Sequence, residues 1–159
     1  MDDRSDFVMA RTGPVRLPDW TELVLRPVVP DDKALFLAAF ERLSPQSRYR
    51  RFFSPLPRLS TALLTYLTEV DHHHHSAWLA VVEEETGPAV VGVSRAVRLD
   101  DPSAAEVAVT VIDPYQRRGI GRLLLGTLVL EAVEQGVTRL VGLVLADNAP
   151  MQAVLRRAG

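Results

Sequence analysis

Gln116-Arg117-Arg118-Gly119-Ile120-Gly121-Arg122 is the stretch on which the reading of this chain turns. Before it, the residues from Glu106 to Ile112 alternate. Glu106, Ala108 and Thr110 share one face of a strand, and Val107, Val109 and Val111 share the other. After it, Arg122 to Glu134 forms a strongly apolar helix closed by Gly136. The turn therefore collects unpaired backbone N–H groups at the positive end of a helix, which makes it an anion site. Gly119 and Gly121 remove the side chains that would hold a phosphate off the backbone, and Arg117, Arg118 and Arg122 surround it with charge. A Walker A loop requires a Lys-Ser/Thr pair that is missing here. Leu124 stands where the dinucleotide fingerprint requires its third glycine, so the turn implies an anion other than ATP or NAD.

Working downstream, Leu140 to Leu145 is a continuous apolar run, the pattern of a buried parallel strand, and a last helix begins near Pro150. Upstream, Ala77–Val82 and Ala89–Val97 flank a Gly87-Pro88 turn and read as a hairpin. Leu23–Arg26 reads as a first strand ended by Pro27. Pro30, Asp31 and Asp32 open a helix with Ala34, Leu35, Ala38 and Ala39 at helical spacing, which runs to Ser44 and Pro45. Gln46–Phe53 reads as a second helix. Ser60 caps a third, along which Leu63, Leu64 and Leu67 form an apolar stripe. Met1 to Asp19 shows neither period and is broken by Gly13, Pro14 and Pro18. The chain thus divides into a mobile lead-in at 1–20 and one domain at 21–159. The fold class is mixed α/β, with a mostly antiparallel central sheet that ends in a parallel pair and is flanked by helices.

A chain of 159 residues suits a single core. Its net charge of −2 offers no global attraction for nucleic acid. The lack of cysteine excludes disulfides, thiolate zinc sites and a cysteine nucleophile. The first twenty residues carry Asp2, Asp3 and Asp6 without an apolar run, and no segment has the length to cross a bilayer, so the expectation is a soluble, cytoplasmic protein without a membrane partner.

The string from Val109 to Gly121 is similar to the pyrophosphate-binding motif of the GNAT superfamily of N-acetyltransferases, Gln/Arg-x-x-Gly-x-Gly/Ala on a strand-turn-helix. Asn148, Met151, Leu155 and Gly159 resemble the family's second conserved segment. Leu25-Arg26-Pro27 and the run from Phe40 to Phe53 look like the catalytic domain of bacterial Pat-type protein-lysine acetyltransferases, which act on acyl-CoA synthetases. The resemblance implies acetyl-CoA as cosubstrate. The backbone of Val109, Thr110 and Val111 would receive the pantetheine arm. Gln116, Arg117, Arg118, Gly119, Ile120, Gly121 and Arg122 would hold the pyrophosphate, and Asn148 would touch the arm from the other side. Glu106 matches the glutamate that Pat-type enzymes use as general base, and the implied acceptor is a primary amine, with a protein lysine first.

Part of the case for Glu106 rests on chemistry alone. An amine with a pKa of about 10.4 is mostly protonated at neutral pH, so transfer needs a base. Half-burial on a central strand would raise the proton affinity of such a carboxylate. Two departures from the superfamily stand out. No tyrosine lies between Asn148 and the terminus, which leaves the proton donor to the departing thiolate unassigned. The chain also stops at Gly159, before the family's two closing strands. The expectation is a C-terminally incomplete domain, or a homodimer that covers the open sheet edge.

The remaining candidates carry plainer readings. His72 to His75 are consecutive, so they alternate in direction and read as a solvated loop rather than a metal site. Arg48, Arg50 and Arg51 read as a solvated helix face beside core Tyr49, Phe52 and Phe53, with recognition of an acidic partner surface as the alternative. Asn148 is a helix cap or a coenzyme contact. At the level of function, a small-molecule amine acetyltransferase and a non-catalytic acyl-CoA-binding module stay open beside the lysine acetyltransferase.

Overall fold

The computed structural model of the chain describes residues 12–143 and 148–158. Six strands form one sheet in chain order: β1 (Gly13–Arg16), β2 (Glu22–Pro27), β3 (His75–Glu84), β4 (Gly87–Arg98), β5 (Ala104–Val111) and β6 (Arg139–Gly142). All neighbours are antiparallel except β5 and β6, as the alternating and continuous apolar patterns require. Pairing between β5 and β6 runs from Ala104↔Arg139 to Val107↔Gly142, while β5 continues to Val111 paired, among the described residues, with β4 only. The expected strand Leu140–Leu145 is thus observed over Arg139–Gly142, and 144–147 lie outside the described residues.

Between β2 and β3 come α1 (Lys33–Glu41), α2 (Pro45–Phe52) and α3 (Thr61–Thr68). The Pro30–Asp32 segment is a single 3₁₀ turn, and α1 ends at Glu41 before the expected Ser44. Ser44 caps α2 instead, where its hydroxyl accepts the Ser47 N–H. Ser60 does the same for Leu63 in α3. Two further helices follow β5 and β6, namely α4 (Ile120–Glu134) and α5 (Ala149–Ala158).

The lead-in reading fails for Gly13–Arg16, which pair with Glu22–Leu25 as an edge strand. Glycine and proline hide the period of so short a strand, and an edge position tolerates Pro14 because only one side needs partners. Met1 to Arg11 lie outside the described residues.

Helix α4 packs across β3, β4 and β5 through Ile120, Leu124, Leu125, Leu128 and Ala132. Its position depends on Gly92 of β4, where a Cβ would meet Leu124 Cδ1 at 2.8 Å and Ile120 Cγ2 at 3.0 Å. A polar lock fixes it further. The buried Glu131 accepts the Trp78 indole N–H at 2.7 Å and the Ser76 hydroxyl at 3.1 Å. The opposite face of the sheet carries α1 and α3, with Phe36, Leu64 and Leu67 against Ala77, Leu79 and Val90.

Candidate active site

The turn after β5 has the backbone its residues demand. Arg117 adopts φ 63° and Gly119 φ 88°, both left-handed, and α4 starts at Ile120 with no side chain to cap it. A Cβ on Gly119 would meet no atom of the protein within 4 Å, so the glycine leaves open space directly over the helix start. Gly121 is different. Its Cβ would sit 3.7 and 3.8 Å from the Val109 and Val111 methyls, ordinary contact distances, so this glycine matters for helix-on-strand approach more than for ligand access.

Gln116 leaves the anion position and ties the loop down. Its amide donates to the Val111 carbonyl at 2.9 Å and to Ser47 Oγ at 3.3 Å. The Thr110 carbonyl points toward Gly92 on β4, so strand alternation turns the N–H and C=O of Val109 and Val111 to the other side, where β6 no longer pairs. Val109 therefore directs backbone groups to the side of β5 on which no strand pairs with it among the described residues.

A cleft of about 740 Å³ follows that edge and joins Glu106 at one end to the Gln116–Arg122 turn at the other. Glu106 and Val111, five residues further along β5, lie about 17 Å apart at the usual rise of an antiparallel strand, a span suited to an extended pantetheine arm. The cleft takes in every expected site residue except Arg118. The Arg118 guanidinium turns away to stack over Tyr115 at 4.8 Å, donate to the Pro114 carbonyl and approach Asp19 at 4.0 Å. Asn148 is 9% exposed and lines the cleft, and its Oδ1 accepts the Met151 N–H at 3.4 Å, the bond expected of a helix cap.

Glu106 is exposed rather than half-buried as expected. It stands in β5 opposite Val97 of β4 and Val141 of β6, at the point where the parallel pairing runs out.

Sequence reasoning missed what α2 contributes. Gln46, Ser47, Arg50, Arg51 and Phe53 all line the cleft. The expected solvated face of arginines beside three core aromatics is corrected: Tyr49 is 46% and Phe53 44% exposed, whereas Arg48 and Arg51 pack inward. Arg48 lies over the Phe40 ring at 4.1 Å and donates to the carbonyls of Phe40 and Pro57, so its stem covers core that Tyr49 does not reach. Burial pulls Arg51 below its ordinary value, and the charges of Tyr66 and Glu106 partly offset this. The spacing of Arg48, Arg51 and Phe52 at i, i+3 and i+4 is the signal that would have found this inward face.

Asp113 holds the two sides of the cleft together. Its carboxylate accepts the Ser44 N–H at 2.8 Å and the Ser47 hydroxyl at 3.0 Å. Burial raises its pKa, but these hydrogen bonds outweigh that and hold it below the usual range.

The histidines form no solvated loop. His72, His73 and His75 are half-buried and only His74 is exposed. Asp71 accepts the N–H groups of His73, His74 and His75, each at 2.9 Å, and so closes the turn. His75 Nε2 accepts from Arg95 at 2.8 Å, and burial followed by the Arg95 charge pushes His75 down to about 4. Among the described residues no group of three or more His, Asp or Glu could hold a metal ion, and no helix is long and apolar enough to cross a membrane.

A mixed α/β sheet with an uncapped, glycine-lined helix start beside a basic cleft along β5 has the features of an anion-binding domain. The sequence matches the acetyltransferase (GNAT) domain model over residues 22–159, and the chain belongs to that family of acyltransferases, which use acetyl-CoA as cosubstrate. It is 39% identical over 145 residues to the acetyltransferase Pat of Mycolicibacterium smegmatis, covering 91% of this chain but 42% of that protein. The GNAT domain of S. lividans PAT superposes with a TM-score of 0.86 at 30% identity, over 94% of this chain and 88% of that one. A cAMP-binding acyltransferase from Mycobacterium smegmatis gives 0.64 at 33% identity, over 98% of this chain and 48% of that one. The mixed sheet with its parallel pair is thus the GNAT fold expected from the sequence.

Proposed function

We propose that this domain moves acetyl from acetyl-CoA to a primary amine, a protein lysine side chain, by direct attack in a ternary complex with Glu106 as general base. The observation that carries the proposal is the continuity of one cleft from the Gln116–Arg122 turn to Glu106. In this reading the α4 amides, Arg117 and Arg122 hold the pyrophosphate, and the open edge of β5 orients the thioester arm. Glu106 takes a proton from the ammonium, directly or through water. The amine nitrogen then bonds to the acetyl carbon as the carbon–sulfur bond breaks. The acceptor's second proton leaves with the thiolate or with solvent, because no tyrosine lines the cleft near α5. Family membership favours this enzyme over a non-catalytic coenzyme-binding module.

The resemblance to Pat supports a protein acceptor, such as an acyl-CoA synthetase. Release of free thiol from acetyl-CoA, measured with lysine peptides, intact proteins and small amines, tests the reading. Lysine-containing polypeptides are expected to be the better acceptors. A polyamine, amino acid or antibiotic turned over far faster than any polypeptide would replace the lysine proposal with a small-molecule one.

A further inference from the structure

The acceptor end of the cleft holds more positive charge than its surroundings neutralise. Over its whole length the cleft is lined by Arg50, Arg51, Arg117, Arg122 and Arg157 against a single carboxylate among the described residues, Glu106. The coenzyme turn accounts for Arg117 and Arg122. Arg50 and Arg51 sit on α2, on the side of Glu106.

Arg51 makes no hydrogen bond or ion pair among the described residues. Its guanidinium lies 4.9 Å from the Phe52 ring and borders both the cleft and an apolar hollow of about 60 Å³ behind Ala108 and Thr110. Arg95 reaches the same hollow from β4. It is 4% exposed and spends its donors on neutral groups, His75 Nε2 at 2.8 Å and the Leu67 carbonyl at 3.2 Å. Burial and then the charge of Arg51 pull Arg95 down to about 9, so the two guanidiniums feel one another while both stay charged at neutral pH. Arg50 adds an Nε that is buried without a hydrogen-bond partner.

Two neighbouring like charges, Arg95 buried and Arg51 partly buried at the cleft wall, with no anion bonded to either among the described residues, favour whatever anion can reach them. Glu106 is a neighbour of Arg51, yet no hydrogen bond joins the two among the described residues. The fork of a guanidinium matches a carboxylate in two parallel hydrogen bonds. A dianion would meet stronger repulsion from Glu106 than a carboxylate does.

We propose, on the reading of this cleft as an amine acetyltransferase site, that Arg51, backed by Arg95 and flanked by Arg50, binds a carboxylate on the acceptor next to the amine that Glu106 serves. Arg51 is thereby a specificity-determining residue. The carboxylate comes either from an acidic residue beside a lysine or from the α-carboxylate of a free amino acid.

Matched acceptors separate the sources: a peptide with Asp beside its lysine against the same peptide with Asn, and an amino acid against its carboxamide. The full chain should favour the carboxylate member of one pair by about tenfold in kcat/KM. Arg51→Gln should reduce that preference to within about twofold, and Arg51→Lys should retain part of it. Calorimetry with coenzyme A reports that each variant is folded.

Binding of both members of each pair is also measured by calorimetry in the presence of coenzyme A, which separates this inference from the proposed reaction. Arg51-dependent preference in binding without turnover of any acceptor would sustain the carboxylate site and remove the transferase reading. Equal binding and equal kcat/KM within both pairs, or a preference that survives Arg51→Gln, would overturn the inference.

Discussion

The two ends of the cleft are built by opposite means. In the proposed reading the working groups at the coenzyme end are backbone amides, held by a left-handed turn and a helix start within seven consecutive residues. At the acceptor end they are side chains from elements far apart in sequence: Glu106 from β5, Arg51 from α2 and Arg95 from β4. The first end tolerates variation in side chains but not in backbone conformation. The second should behave the other way round. Asp113 links them, since it lies in the coenzyme loop yet holds Ser44 and Ser47 at the start of α2.

The largest effect that would sharpen this contrast is expected from Glu106→Gln. Turnover should fall by roughly 100- to 10,000-fold, the usual loss of a general base, while calorimetry finds coenzyme A affinity within about threefold. An equal fall in both quantities would mean that the two ends are not separable. Next comes Gly119→Val. A side chain at φ 88° costs about 1–2 kcal/mol and fills the open space over the α4 amides, so coenzyme affinity should drop about tenfold or more. Gly121→Ala is its control. The new methyl lies at ordinary distance from Val109 and Val111, and affinity should stay within about threefold of the parent.

Breaking the link should cost less. Asp113→Ala removes the acceptor for the N–H of Ser44, which caps α2, and for the Ser47 hydroxyl, and should lower stability in urea by about 1 kcal/mol. Because α2 carries Arg50 and Arg51, the acceptor KM should rise more than the coenzyme KM. A rise confined to the coenzyme would show that the loop and α2 act independently.

The smallest effect concerns pH. His75 titrates at about 4 in the fold against 6.5 ordinarily, because of burial and then Arg95. The stability of its neutral form is therefore complete above pH 6.5 and is lost as the pH falls from there through about 4. Urea midpoints should decline gently over that window, and the decline should flatten in His75→Gln. Asp71 and Asp113 are held below 3.8 and weigh in only at lower pH. An unchanged midpoint between pH 6.5 and 4.5 would contradict the buried neutral ring.

The helix cap at Ser60, the hairpin at Gly87 and the alternation of β5 were all legible, because each depends on residues within a few positions of one another. The Gly13–Arg16 strand was not legible. Four residues with a glycine and a proline carry no readable period, and only pairing with β2 makes them a strand. Arg118 was assigned to the anion site by its place in the motif, but the tertiary structure gave its side chain to Tyr115 and Asp19.

By itself, then, the sequence determined the glycine turn that opens α4 and the order of the elements, since backbone conformation and hydrophobic period are local properties written into neighbouring residues. Only the tertiary structure decided that Glu106 is exposed, that Arg51 turns inward beside it and that Arg95 stands behind. Those facts depend on how α2 lies against β4 and β5, and side-chain burial is set by contacts between distant segments that no local pattern encodes.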